Sequence, residues 1–350
     1  MTQDDIFSSL TLNAFDFLGR GIEEFDKAPK YSVIHFCAAV EMLLKARLMK
    51  EHWSLIVSRP DQAKLHSFIA GDFTSVTMNE ARARIQEIAG DSISDEAFSS
   101  FRNLANHRNK MIHFFHADVD SNDQAKEQIV AEHCRSWFHL HRLLNRWGTY
   151  FRDYRHEISR ADHSMKQHRK YLINKFNALA PELANAREHN AKPELCGACG
   201  FGSAIPEAFD DQIAYLSCLV CDHKWLQVDI DCPSCGQPIA IVNQGFAGCG
   251  HCGVAVEPHH LVDALTDHAV AYMAMKDGDD GFAPANCGDC DGYHTVVRRG
   301  DRYFCTDCFT ISDHLEFCSW CHEPNTGNVE DSYLTGCNHC DGRMGSEKED

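Results

Sequence analysis

The stretch CPSCGQPIAIVNQGFAGCGHC, residues 232–252, holds two C-x-x-C pairs with 13 residues between them. A hairpin of this length returns the chain to one metal ion, so the spacing predicts a four-cysteine zinc site. Four such pairs of motifs follow one another, with 18, 13, 14 and 15 intervening residues. The predicted ligand sets are Cys196, Cys199, Cys218 and Cys221; Cys232, Cys235, Cys249 and Cys252; Cys287, Cys290, Cys305 and Cys308; and Cys318, Cys321, Cys337 and Cys340.

This spacing is typical of zinc ribbons, and it is repeated along the chain. Cys196 and Cys287 are 91 residues apart, and Cys232 and Cys318 are 86 apart, which indicates a duplicated two-ribbon unit. We therefore expect small metal-stabilised β domains, with four zinc ribbons in two tandem pairs. The pairs cover residues 193–256 and 282–345, joined by a connector helix at 257–281 and followed by an acidic tail at 346–350. Neighbouring motifs should pair, although crossed pairing also fits the spacing.

The predicted sites have a structural rather than a catalytic character. Four cysteine ligands leave no open coordination position, so we expect four structural zinc ions and no catalytic metal. Zinc should supply much of the folding energy, because domains this small bury little apolar surface. Reduced thiolates favour a cytoplasmic location. The start, MTQDDIFSSL, does not resemble a signal peptide, and no apolar run is long enough to cross a membrane.

Charge is concentrated in the cysteine-rich half. Residues 191–350 contain 8 Lys and Arg against 26 Asp and Glu, and they account for the whole net charge of −18. The formal −2 of each zinc tetrathiolate lowers this to about −26, which disfavours phosphate binding. The local exceptions are Arg298, Arg299 and Arg302, interpreted as a solvated hairpin tip. We expect this half to bind a protein partner through apolar anchors, the candidates being Trp225, Trp320, Tyr303 and Phe304.

The first half is neutral and its pattern is helical. Apolar residues recur three and four positions apart over residues 4–26 and 31–53, and similar patterns cover 80–89 and 95–116. These predict an all-α helical bundle over residues 1–150, then a helical extension and linker over 151–192. Every seventh residue from Val130 to Leu179 is apolar, which predicts one very long helix or two, broken at Gly148 and stopped at Pro181. Two helices on the bundle and an extended coiled-coil arm are both compatible with this run.

One segment of this half has an unusual charge pattern. FSSFRNLANHRNKMIHFFH, residues 98–116, contains no acidic residue in a chain that has 51 of them, and its cations should attract an anion. On a helix, one polar stripe would contain Arg102, Asn106, Asn109, His113 and His116. A separate apolar stripe would contain Phe101, Leu104, Ile112 and Phe115. Arg108 falls among the apolar positions, so it needs a partner, or else a new helix starts at His107 with Asn106 as its cap.

Arg108-Asn109-Lys110-Met111-Ile112-His113 resembles the R-N-x-x-x-H motif of the HEPN superfamily. Ala39, Glu41, Leu44 and Lys45 resemble that family's A-x-E-x-x-L-K helix, and the resemblance covers roughly residues 1–150. It implies a helical, metal-independent endoribonuclease, like those of toxin, abortive-infection and CRISPR defence systems, with a composite active site in a homodimer. The implied catalytic residues are Arg108, Asn109 and His113, with possible support from Arg102, His107, His116 and Glu41. Arg102 to His107 fits the same motif, so the register is open, and the ribbons are not part of the family pattern.

The residue types fit RNA cleavage without reference to the family. The 2′-hydroxyl of RNA is an internal nucleophile, so cleavage needs a base, a proton donor and positive charge near the phosphate. His113 can act as base or acid, Arg108 can hold phosphate oxygens, and Asn109 can orient either. DNA lacks the 2′-hydroxyl and would not be cut. The alternative is a non-catalytic adaptor in which Arg108 forms a structural ion pair, for example with Glu41, and the ribbons bind a protein.

Overall fold

The computed structural model describes residues 2–113, 123–189, 191–242, 248–278 and 283–346. The chain divides into two compact units, one ending at Glu182 and the other beginning at Leu183. The first unit is helical and the second is rich in short strands. The predicted fold class, an all-α bundle followed by small β domains consistent with zinc ribbons, is confirmed.

The helical unit is built from eight helices and part of a ninth within its described residues. Their bounds are α1 (Gln3–Glu23), α2 (Pro29–Met49), α3 (Leu65–Ile69), α4 (Met78–Glu87), α5 (Asp95–His113), α6 (Asp123–Arg146), α7 (Arg155–Lys166), α8 (Arg169–Ala178) and α9 (Ala180–Glu188). Local sequence sets several starts: Thr2 and Thr77 form capping boxes with Asp5 and Glu80, and Pro29 occupies the first turn of α2. The last helix, α9, crosses the boundary between the units.

The core of this unit lies between α1, α2, α5 and α6. The pair α1 and α2 packs most extensively, and α5 packs against both α2 and α6. Trp137, Trp147 and Phe151 are among the largest fully buried side chains. Helix α5 therefore packs one side against α2 and α6, and its other side faces outward.

The apolar heptad run does not form one long helix, two helices or a coiled-coil arm. The chain breaks after α6, next to Gly148 as predicted, and again between α7, α8 and α9. Pro181 is not a stop, because it is the second residue of α9. The heptad residues are nevertheless core residues: Trp137, Leu144, Phe151, Ile158, Met165, Leu172 and Leu179 are all buried. Several short helices that each present one face to the core satisfy the same spacing.

The first two cysteine motif pairs share one antiparallel sheet. Its strands follow chain order: β1 (Glu194–Leu195), β2 (Gly202–Ala208), β3 (Ile213–Cys218), β4 (Lys224–Asp231) and β5 (Pro238–Val242). Strand β4 pairs with β3 through Tyr215 opposite Leu226, and with β5 through Val228 opposite Ile241. Because β4 runs without a break from the first ribbon into the second, these two ribbons are one sheet.

The second pair of ribbons is built differently, despite its similar spacing. The connector forms two helices instead of one, α10 (Pro258–Leu265) and α11 (His268–Lys276). The strands β6 (Val296–Arg299), β7 (Arg302–Cys305) and β8 (Ile311–Ser312) form one sheet, and β9 (Glu316–Phe317) pairs with β10 (Pro324–Asn325) in another. Two short helices follow, α12 (Ser332–Thr335) and α13 (Gly342–Ser346). Here the sheet is interrupted between the ribbons, so the duplication in spacing is not a duplication of the sheet.

An apolar cluster joins the five-stranded sheet, α10 and the third ribbon. It contains Ile213, Leu226, Val228, Ile230, Ile241, Val256, Leu261, Leu265, Val297, Phe304 and Phe309. Arg299 on β6 reinforces the junction. Its Nε and Nη2 atoms lie 2.6 Å and 2.9 Å from Asp210 and Asp211, and its Nη1 donates to the Leu265 carbonyl at 2.7 Å.

Candidate functional sites

The sixteen predicted ligands form four clusters with the predicted pairing. In each cluster the four sulfur atoms lie within 4.8 Å of one another. Sulfurs of paired motifs are 3.6 Å apart at Cys196 and Cys221 and 3.8 Å apart at Cys235 and Cys249. A tetrahedral zinc site with Zn–S bonds of about 2.3 Å requires S–S edges of about 3.8 Å. These distances are compatible with zinc, and the clusters use neighbouring motifs rather than crossed ones.

The backbone around each motif is shaped for a metal thiolate. The residue after the second cysteine often adopts a left-handed conformation and closes a turn onto the first cysteine. Gly236 has a φ of 68° and donates to the Cys232 carbonyl at 2.9 Å, and Phe309 has a φ of 60° and donates to Cys305 at 3.0 Å. Glycine adopts this conformation easily, whereas a phenylalanine there is strained. Burial of Phe309 in the apolar cluster offsets that strain.

Amide groups also face the sulfur atoms. The backbone N–H of His251 donates to Cys249 Sγ at 3.4 Å, and that of Asp289 donates to Cys287 Sγ at 3.3 Å. Hydrogen bonds from the Cys252 and His251 amides lower the pKa of the Cys249 thiol to about 6. Such donors favour the thiolate form that binds a metal.

The other residues singled out in the ribbons have mostly structural positions. Histidines beside the motifs are not part of the four clusters, and His223 instead stacks on Trp225. Of the arginines expected at a solvated hairpin tip, Arg299 is not solvated, because it is held by the contacts given above. Arg302 is half exposed, as expected, and lies 3.0 Å from the exposed Asp313. Of the candidate anchors, Phe304 is a core residue, fully buried against Phe309. Trp225, Tyr303 and Trp320 are half-buried.

In the helical unit, α5 is continuous from Asp95 to His113, so Asn106 does not cap a new helix. Arg108 has the partner that its apolar position requires. Its Nη2 lies 2.6 Å from Glu41 Oε1 on α2, and the side chains of Arg108 and Glu41 are 26% and 28% exposed. Its Nε is buried without a hydrogen-bond partner among the described residues. Arg108 is therefore held by α2 and still reachable from solvent.

Two further residues of this region, His107 and Lys45, make contacts that the sequence did not reveal. His107 Nε2 lies 2.9 Å from Glu132 Oε2 on α6, a partner 25 residues away for which the sequence gave no signal. Lys45, one turn after Glu41, donates to Ser75 at 3.0 Å, and burial lowers the pKa of its ammonium group. Glu41 therefore faces Arg108, and Lys45 is fixed by a different contact.

The outward face of α5 confirms the predicted polar stripe where the structure describes it. Arg102, Asn106 and Asn109 are exposed, and so are Asn103 and Lys110 beside them. Phe101 and Leu104 are buried as predicted, but Ile112 is exposed and Met111 is buried in its place. The backbone of His113 ends α5, while its side chain, together with Phe115 and His116, lies outside the described residues.

Compared with family models, with curated proteins and with solved structures, the chain has no match. The resemblance to the HEPN superfamily therefore depends on the motif and its helical setting alone. Within the part of the chain that the structure describes, none of the helices is long and apolar enough to cross a bilayer.

Proposed function

We propose that the helical unit is a metal-independent endoribonuclease of HEPN type, active as a homodimer. The observation that carries this proposal is Arg108, a cation held by Glu41 yet still about one quarter exposed, on a helix without acidic residues after Glu96. Cytoplasmic location and a role in toxin or antiviral defence are part of the same proposal. The ribbon unit, with its acidic surface, would dock a protein partner.

Helix geometry supports the dimer. Arg108 and His113 are five residues apart on one continuous helix, which places the two positions about 140° apart around the axis. Arg108 lies on the side of α5 that faces α2. A single copy of α5 therefore does not bring positions 108 and 113 to the same point. Two copies facing each other would bring the guanidinium of one chain close to the imidazole of the other.

In this site, the 2′-oxygen of the substrate attacks the adjacent phosphorus. The His113 imidazole takes the 2′-hydroxyl proton and then donates it to the 5′-oxygen as the P–O5′ bond breaks. Arg108 contributes its remaining guanidinium donors to the phosphorane, and Asn109 orients the phosphate. The products are a 2′,3′-cyclic phosphate and a 5′-hydroxyl.

Cleavage of transfer and messenger RNA by the purified protein, without added divalent metal, is the direct test. Arg108→Lys keeps a cation beside Glu41 but removes the planar fork, and it should lower the rate at least about 100-fold. Arg152→Ala, which removes an exposed arginine of the same unit, is the matched control. Arg102→Ala with His107→Ala tests the other register. Equal product patterns from all of these proteins would end the proposal.

The second candidate is a non-catalytic adaptor, which the Arg108 to Glu41 ion pair favours. It predicts that Arg108→Lys leaves RNA intact, as the unmodified protein does, and that the chain binds a protein partner tightly. A third function, nucleic-acid binding by the ribbons, is disfavoured because Arg299 and Arg302 are paired with acids of their own unit. Weaker oligonucleotide binding by a full-length Arg302→Ala variant than by the unmodified protein at low salt would support it, and no binding by either protein would exclude it.

A further inference from the structure

The fourth ribbon carries a pair of aromatic side chains that contact each other. Trp320 lies between the two cysteines of the first motif of this ribbon, and Tyr333 lies on α12. Their ring centroids are 5.7 Å apart and their planes are inclined at 70°. Trp320 is half-buried, whereas Tyr333 is 49% exposed. The pair is therefore accessible from solvent.

The fold of the ribbon holds the two rings in place. Ser332, the first residue of α12, is buried, and its hydroxyl accepts a hydrogen bond from the Ser319 N–H at 2.8 Å. Val329, shortly before α12, is buried as well. These contacts hold α12 against the turn that carries Trp320. A surface whose side chains are already positioned loses little conformational entropy when it binds a ligand.

The charge of this segment indicates what the pair binds. Residues 303–346 contain seven acidic residues and one Lys or Arg, which is Arg343. Glu330 and Asp331 directly precede α12, and both are exposed. A zinc tetrathiolate at the fourth cluster adds a formal −2 to this charge. An anionic ligand is therefore disfavoured at this surface, and a cationic one is favoured.

The geometry of the rings suits a guanidinium group. The faces of aromatic rings attract Lys and Arg cations, and Trp attracts them most strongly. Trp225, the other tryptophan of the ribbon unit, stacks on His223 with planes only 25° apart, so His223 covers one of its faces. Trp320 and Tyr333 instead meet edge to face. One ring of this pair therefore keeps both of its faces uncovered by the other.

We propose that Trp320 and Tyr333, with Glu330 and Asp331, bind an arginine-rich segment of a partner protein. This proposal rests on the proposed docking role of the ribbon unit, and it does not depend on ribonuclease activity. An arginine guanidinium packs on the aromatic pair, and the acidic side chains attract the other cations of the segment. Arginine is favoured over lysine because its planar group stacks on rings and is more weakly hydrated.

Binding of a labelled peptide by the full-length, zinc-loaded protein tests the proposal. A short peptide of arginine, glycine and serine carries fluorescein, and its binding is followed by fluorescence anisotropy. A second peptide has citrulline, which keeps the shape of arginine without its charge, at every arginine position. The arginine peptide should bind at least about tenfold more tightly than the citrulline peptide. Failure of the arginine peptide to bind would overturn the proposal.

Variants that leave the net charge unchanged separate this surface from general attraction to an acidic protein. Trp320→Leu and Tyr333→Leu should each weaken binding of the arginine peptide by a factor of about five to ten, whereas Trp225→Leu, the matched control, should not. Zinc content is measured for each variant, and if Trp320→Leu loses zinc, Tyr333→Leu at its exposed position decides. Equal affinities in all four proteins would overturn the proposed surface and leave the docking role of the unit in place. RNA cleavage by the same samples tests the ribonuclease separately.

Discussion

Replacing Phe304 by alanine should destabilise strands far from it in sequence. Phe304 on β7 is fully buried and packs edge-to-face on Phe309, with ring centroids 5.3 Å apart. Its apolar cluster includes Ile213 on β3 and Val228 on β4, which belong to the first two ribbons. Deleting a buried phenylalanine side chain costs about 3–5 kcal/mol. Because the cluster is shared, this loss should affect the five-stranded sheet as well as the third ribbon.

Amide hydrogen exchange of the zinc-saturated protein measures this effect. Zinc binding contributes about 10–16 kcal/mol to the folding of small zinc domains, so the variant should remain folded. A loss of 3 kcal/mol corresponds to a change of about 100-fold in the opening equilibrium, and the amides of β3 and β4 should exchange faster by at least this factor. Phe317→Ala, at an exposed phenylalanine, is the matched control and should change little. Faster exchange confined to β6, β7 and β8 would show that the ribbons do not share a core.

Three further predictions concern the helical unit. Asp91→Ala should cost about 2–3 kcal/mol in thermal unfolding, because Asp91 accepts a hydrogen bond from Trp147 and faces the buried Arg47; an unchanged melting temperature would contradict this. Burial lowers the pKa of His133 to about 3, so the stability that neutral His133 contributes is fully present above about pH 6.5 and falls by about 1.4 kcal/mol per pH unit below it. The free energy of unfolding, measured by urea titrations at several pH values, should therefore depend less on pH in His133→Asn, and an equal dependence in both proteins would contradict this. Burial raises the pKa of Cys37 to about 12, so iodoacetamide at pH 8 should leave this thiol unmodified in the native protein, and peptide mass spectrometry would detect the opposite result.

The metal clusters could be predicted from the sequence because a C-x-x-C turn encodes its own geometry. Both ligands and the closing amide lie within about five residues, so Cys232, Cys235 and Gly236 specify the local conformation without help from the rest of the chain. Two such turns then need only a short hairpin between them. The assignment of the sixteen cysteines to four clusters could therefore be predicted from the spacing alone.

The heptad run shows why local periodicity did not predict the helical extension. Apolar residues seven apart are required on the buried side of a long helix, and equally on successive short helices that pack on one core. Gly148 marked one break, but nothing comparable marked the break between Lys166 and Arg169. Tertiary packing decides between these arrangements.

Contacts between residues far apart in the sequence could likewise not be predicted from it. Arg299 was expected at a solvated tip, but its acid partners Asp210 and Asp211 lie almost ninety residues earlier in the chain. Tyr303 and Phe304 were both expected as surface anchors, although adjacent residues on a strand point to opposite faces. Only the fold shows that Phe304 points to the core. At the candidate catalytic helix, the need for a partner at Arg108 was predicted from its apolar position, and Glu41 was correctly named.

Complementation between two inactive variants tests most directly whether neighbouring chains build one ribonuclease site. Arg108→Lys and His113→Asn chains, carrying different tags, are co-expressed and the mixed dimers are isolated. One of the two composite sites in each mixed dimer retains both native residues, so we predict that RNA cleavage to 2′,3′-cyclic phosphate ends returns to about half of the unmodified rate. Mixed dimers as inactive as either parent, alongside an active unmodified protein, would contradict a site shared between chains.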